Sequence, residues 1–343
     1  MKALAFNEFG GADRLRWQDV PDPTVGPGQV LLRVRACALN HLDIFVREGI
    51  PALNTPLPFW TGCDIAGEVA EVGPGVEGVR TGERVVVNPS LSCGRCEFCI
   101  AGEDCLCPRY GIIGEHVPGG LAEYVAVPAA NLLRLPDHIG WEEGASFMLT
   151  NMTAWRMVVT QARVRPGEDV LILGVGGGVS STAVQIAKLC GARVIVTSSS
   201  DEKLARAKAL GADVGFNYAR EDWAKAVREL TGKRGVDVVI ENVGAATWKH
   251  SLRALRKGGR LVTCGATTGP MGETDIRVVF WNQISIIGST MATRKEFHDV
   301  MRLCFAGRLK PIVDQVFPVQ EGAEAQRRME KAQQFGKIVL RVA

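Results

Sequence analysis

An α/β fold is predicted: a doubly wound parallel sheet joined to a second, mostly antiparallel β domain. Three observations carry that reading. The 343 residues exceed what one hydrophobic core usually serves. Up to about residue 140 the chain consists of short β-like runs broken by Gly and Pro, and beyond about Glu168 strands alternate with helical stretches. A run of glycines sits between the first of those later strands and its helix.

In the first part, Met1–Phe6, Val30–Ala36, Ile65–Val72, Arg84–Asn88 and Ala122–Val127 read as strands. Val25-Gly26-Pro27-Gly28 and Gly73-Pro74-Gly75 read as turns between strands. In the second part the expected strands are Asp169–Leu173, Arg193–Thr197, Val214–Phe216, Val236–Ile240, Arg260–Cys264 and Ile284–Ile287. Helical patterns cover Ser181–Leu189, Glu202–Leu210, Asp222–Leu230 and Thr247–Leu255. That alternation builds βαβ units. Two more helices, Glu296–Phe305 and Glu321–Phe335, precede an apolar strand, Lys337–Val342, expected to pair back with the N-terminal domain. The predicted domains are therefore 1–152 with 291–343, and 153–290.

Composition removes several classes of function. Apolar residues at 46% and charged residues at 22% exclude a disordered chain. A net charge of +3, with no basic run interleaved with aromatics, argues against nucleic-acid binding. Val170–Ala187 carries no charge, but its glycines, Ser, Thr and Gln suit a buried strand, turn and helix better than a lipid-facing span. No membrane partner is expected. The N-terminus starts in a strand pattern without a secretory signal, and a cytoplasmic location is expected.

Of ten cysteines, five lie between Cys93 and Cys107, which favours a metal over disulfides. Cys93, Cys96, Cys99 and Cys107 follow C-x2-C-x2-C-x7-C, suited to one closed, structural zinc site. Cys105 is the alternative fourth ligand.

The turn Gly174-Val175-Gly176-Gly177-Gly178-Val179-Ser180 follows a strand and opens a helix. Glycines let the backbone approach a pyrophosphate, and the helix N-terminus offers free N–H groups. Ser180 stands where a final glycine is usual. The next strand ends in Thr197-Ser198-Ser199-Ser200, without the carboxylate that holds an NAD ribose. Ser198, with Lys203 and Tyr218 as phosphate partners, favours NADP(H) over NAD(H); Asp201 is the alternative ribose ligand. Asn242-Val243-Gly244 and Cys264-Gly265-Ala266 follow later strands, at the ends where such folds bind ligands.

Together these residues resemble the medium-chain dehydrogenase/reductase superfamily of zinc alcohol dehydrogenases and quinone oxidoreductases. The resemblance spans the chain and includes Gly62-Cys63-Asp64-Ile65-Ala66-Gly67-Glu68-Val69 and Gly82-Glu83-Arg84-Val85. It implies a GroES-like catalytic domain beside a Rossmann dinucleotide-binding domain. The resemblance also implies a catalytic zinc held by Cys, His and Cys near a Glu; the matching positions here are Asn40, Cys63 and Leu149, with Asp64 for the Glu. Leu42 and Phe45 replace the usual proton-relay residues. Ala38-Leu39-Asn40-His41-Leu42-Asp43 is instead similar to the zinc-free quinone reductases. An unusual second metal site from Cys37, His41, Cys63 and Asp64 stays open.

The expected function is hydride transfer from NAD(P)H to a quinone, activated alkene or carbonyl, a small-molecule substrate, without a standard catalytic zinc. Asn40 is the expected amide donor, with His41 or Asp43 moving protons. For His41 the alternatives are a role facing the cofactor phosphates and a surface histidine. For Asp43 the alternative is a backbone-capping acceptor. A zinc-dependent alcohol dehydrogenase with altered ligands and a non-catalytic NADPH-binding protein are the rival functions. A homodimer or homotetramer through the Ile284–Ile287 edge is expected.

Overall fold

The computed structural model describes residues 1–342. The chain divides into two units, Met1–Leu149 with the segment from Thr293 onward, and Thr150–Ala292.

The first unit is built on a seven-stranded sheet in the order Val313–Pro318, Lys337–Arg341, Gln29–Ala38, Asp64–Val72, Arg84–Val87 and Leu132–Arg134, with Tyr124–Pro128 also on Gln29–Ala38. All pairings are antiparallel except the one between Val313–Pro318 and Lys337–Arg341. The C-terminal strand does return to the N-terminal sheet: Val339 faces Ala38 and Leu340 faces Cys37. Alternate residues of Gln29–Ala38, among them Val30, Leu32 and Val34, are fully buried in one apolar cluster with Leu4, Phe6, Ile65 and Leu340. Each such side chain contributes about 1.5–3 kcal/mol of burial. The pairing places Lys337, Ala38 and Asp64 at neighbouring strand ends.

In the second unit six parallel strands run in the order Val214–Asn217, Arg193–Ser198, Asp169–Ile172, Val236–Glu241, Leu255–Thr263, Ser285–Gly288. Counted along the chain this is 3-2-1-4-5-6, the doubly wound Rossmann order. Val170, Leu171, Ile172, Val238, Val239 and Ile240 are all fully buried, as strands covered on both faces require. Helices start on sequence-encoded caps: the Ser200 side chain accepts from Lys203 N, and Asp222 accepts from Ala224 N and Lys225 N.

Several expectations shift. The helix His41–Glu48, the helix Met148–Trp155 with its π-helical continuation Arg156–Gln161, and the strand Val313–Pro318 were not foreseen. The last helix stops at Glu330 instead of Phe335, because Ala332 adopts φ +49° and ends the helical path. The charge-free stretch Val170–Ala187 splits into strand, turn and helix, and among the described residues no helix is long and apolar enough to cross a membrane.

Asp237 ties the amino ends of the central strands of the second unit. It accepts from Asp169 N at 2.9 Å, from Arg234 at 2.7 Å and from Arg256 Nε. Burial pushes its carboxyl up, but the two guanidinium groups outweigh that and hold it at about 2. A depressed acid contributes stability above its unfolded value and loses it as pH falls through the folded one. Asp237→Asn is therefore expected to cost about 2 kcal/mol at pH 7, and to flatten the loss of stability between pH ~4 and ~2. Thermal unfolding against pH checks this.

Candidate functional site

In the second unit the glycine turn forms as its sequence requires. Gly174 adopts φ +61°, Gly177 caps the helix Gly178–Leu189, and Gly174 O accepts from the amides of Gly176 and Gly177. The next amides, of Gly178, Val179 and Ser180, lack carbonyls one turn back and are the donors an anion can use. A Cβ at Gly177 would meet nothing closer than Gly174 O at 3.9 Å, so the space above the turn is open to a pyrophosphate. Ser180 fits in the place of a third glycine. It is fully buried, donates to Leu173 O at 2.6 Å and accepts from Asn242 Nδ2 at 3.0 Å.

At the end of the second strand, Ser198 is buried, its hydroxyl accepting from Ser200 N at 3.3 Å and its carbonyl from Tyr218 N at 3.0 Å. Tyr218 is half-exposed. Lys203 lies one turn into the helix Asp201–Ala209, its amide on Ser200 Oγ. Asp201 is engaged by Asn217 Nδ2 at 2.6 Å and by Arg220 at 2.5 Å. Arg220 and Asn217 escaped sequence reading, although Tyr218, which lies between them, did not.

After the fourth strand, the buried Glu241 carboxylate accepts from the amides of Val243 and Gly244 and from the hydroxyls of Thr247 and Ser251. Those two amides are spent on Glu241 and shape the loop. Gly244 must be glycine there: φ is +88° and a Cβ would lie 2.7 Å from Gly269 O. Cys264 and Gly265 follow the fifth strand, and burial pushes the Cys264 thiol up to about 12.

In the first unit, Cys93, Cys96, Cys99 and Cys107 gather with their sulfurs within 4.8 Å of one another. Cys93 and Cys99 lie 4.0 Å apart, and Cys96 and Cys99 3.5 Å. A tetrahedron with Zn–S of about 2.3 Å needs sulfurs about 3.8 Å apart, so the residues present fit zinc. The amides of Cys93 and Arg109 both point at Cys107 Sγ at 3.4 Å and orient it. Cys105 is buried and outside the group.

The Asn40 region is organised around a buried carboxylate. Asp64 accepts from Leu149 N at 2.8 Å, from Asn40 Nδ2 at 2.9 Å and from Lys337 Nζ at 2.8 Å. The Asn40 amide nitrogen also reaches Cys63 Sγ at 3.2 Å, and its Oδ1 accepts from Lys337 at 2.6 Å. Both amide hydrogens of Asn40 are thus turned inward, and the expectation of a free amide donor is corrected. Asp43 accepts from Asn40 N at 2.6 Å and from Gly62 N at 2.9 Å, and is buried. Its place is that of the capping acceptor, and burial holds its carboxyl above the ordinary range. His41 opens the helix; burial, with the Lys337 charge adding, lowers its pKa.

Two domain families match this chain: the alcohol dehydrogenase GroES-like domain over residues 26–137 and the zinc-binding dehydrogenases over residues 178–306. An alcohol dehydrogenase of Geobacillus stearothermophilus is 35% identical over 348 residues, covering all of both chains. The chain belongs to the medium-chain dehydrogenase/reductase superfamily. This medium-chain enzyme is accordingly an NAD(P)-dependent oxidoreductase. A crystal structure of an NAD-dependent alcohol dehydrogenase shares 49% identity and a TM-score of 0.96 over the full length of both chains. A quinone oxidoreductase of Lama guanicoe is 29% identical over 99% of this chain and 97% of its own.

At the positions matched to a catalytic zinc, the side chains present are engaged with one another. Asn40 presents nitrogen to Cys63, Leu149 offers no donor side chain, and an ammonium sits on Asp64. Burial, then the carboxylates of Asp64 and Asp43, push the Cys63 thiol well above its ordinary value. Among the described residues the cysteine lobe alone gathers metal-ligating atoms; Cys37, His41, Cys63 and Asp64 do not. Lys337 was read only as the start of an apolar strand. The signal was there: a lysine in a strand buried on both sides needs a counter-charge.

The lobe generates a direct prediction. Cys107→Ser is expected to lose zinc and lower the Tm, while Cys105→Ser retains one zinc per chain, as measured by elemental analysis and calorimetry.

Proposed function

We propose that this enzyme transfers hydride from NADP(H) to a quinone, activated alkene or carbonyl, with no catalytic zinc and one structural zinc on Cys93, Cys96, Cys99 and Cys107. The observation that carries the reading is that two of the three matched ligand positions offer no zinc ligand: Leu149 has no donor side chain and Asn40 turns its amide nitrogen to Cys63, while Lys337 pairs with the neighbouring Asp64. Bound NADPH supplies the hydride. The chain's own part is to seat the pyrophosphate on the Gly174, Gly176, Gly177, Gly178 and Val179 turn, to exclude water, and to handle a proton. Asn242, Val243, Gly244, Cys264 and Gly265 shape the loops on the cofactor side.

His41 is the proton-handling group of this proposal, because its half-buried ring opens the helix, while Asn40 and Asp43 are committed to holding the helix start. The hydroxyl-ended strand at Ser198 and the Asp201 carboxylate, occupied by Asn217 and Arg220, support NADP(H), with Lys203 and Tyr218 as the proposed phosphate partners. The name of the 49%-identical structure favours NAD(H) and alcohol oxidation, which is the second reading. A homodimer or homotetramer is supported by the edge strand Ser285–Gly288 beside exposed Ile276, Phe280 and Trp281.

Steady-state rates with NADPH and NADH over quinones, enones, aldehydes and alcohols test the proposal. NADPH is expected to be preferred, and Ser198→Asp to raise its KM at least about tenfold while sparing NADH, since a carboxylate repels the 2′-phosphate. Equal use of NADH, or turnover confined to alcohols, supports the second reading. Tight NADPH binding without its oxidation marks a non-catalytic binder, and a monomeric mass by light scattering removes the oligomer.

A further inference from the structure

Lys337 Nζ lies 2.6 Å from Leu39 O, 2.6 Å from Asn40 Oδ1 and 2.8 Å from Asp64 Oδ2. An ammonium has three hydrogens, and each finds an oxygen. The lysine side chain is 4% exposed and the aspartate 0%. A buried pair gains little net stability over apolar packing, yet breaking it is costly. Such a pair persists where it determines an arrangement, and here it sets which way the Asn40 carboxamide faces.

We propose that Lys337 is the built-in cation of this site and a positioning residue. It neutralises Asp64 and holds the carbonyl end of Asn40, so that the amide end faces Cys63 and Asp64. It also pins Leu39 O at the turn that leads into the helix opened by His41. A divalent ion is denied the Asp64 carboxylate by the same contact. The inference rests on the zinc-free reading above and extends it, giving the positive charge of the site to a covalently attached group.

The test uses Lys337→Ala and the double variant Lys337→Met with Asp64→Asn, each as full-length protein. The alanine variant is expected to lose at least about tenfold in kcat, with KM for NADPH within about twofold. Ethylammonium, which refills the oxygen cradle, raises its Tm saturably and returns part of its kcat; the wild type ignores it. The double variant removes both charges together, so it folds with a Tm near wild type. It keeps the low kcat and does not respond to ethylammonium. Wild-type turnover in either variant, or a folded Lys337→Ala protein whose kcat ignores ethylammonium, overturns the inference and leaves the zinc-free reading standing. Two zinc ions per wild-type chain, the second lost in Cys63→Ser, overturns the zinc-free reading itself.

Discussion

A carboxylate without exposed surface has to be answered by donors, and Asp64 is answered by a backbone amide, a carboxamide and an ammonium, with the Cys63 thiol at 3.8 Å as a weak fourth. Taking it out of water costs several kcal/mol, which only such a set of partners offsets. The first three partners come from distant parts of the sequence, at Leu149, Asn40 and Lys337. One charged group therefore ties together the strand that Asp64 itself opens, the helix that His41 opens, and the C-terminal strand. The site's architecture follows from satisfying that single group.

The dinucleotide-binding unit solves a different electrostatic problem. A pyrophosphate needs donors without carrying lysines into a tight turn, and the helix start at Gly177 provides backbone amides instead. Ser180 shows how little latitude the packing leaves: it occupies the small space at the helix–sheet contact by donating its hydroxyl to Leu173 O. Glu241 performs a similar service deeper in the sheet, where its carboxylate folds the loop after the fourth strand onto itself.

How much of this was legible in the sequence depended on whether the signal was local. The βα alternation, the glycine turn and the cysteine spacing are local, and each stands near its expected place, although the first helix starts three residues early at Gly178 and the fifth strand five residues early at Leu255. Lys337–Arg341 could be placed because its apolar run needs a sheet partner. The helix His41–Glu48 was missed although Asn40 and Asp43 bear a capping pattern, because Cys37 to Asp43 was weighed as chemistry and not as a helix start. The inward turn of the Asn40 amide depends on Lys337, nearly three hundred residues away, and no local pattern encodes it. Asp201 offers the same lesson on a smaller scale: its availability to a ribose is decided by Arg220 on the next turn.

The central claim is that an ammonium, and not a metal ion, balances Asp64. Anomalous scattering at the zinc edge, from crystals of active enzyme grown with NADP(H), measures this most directly. The account predicts a peak enclosed by Cys93, Cys96, Cys99 and Cys107 and flat density between Cys63 and Asp64. A zinc peak bonded to Cys63 Sγ, with Lys337 displaced, would contradict it.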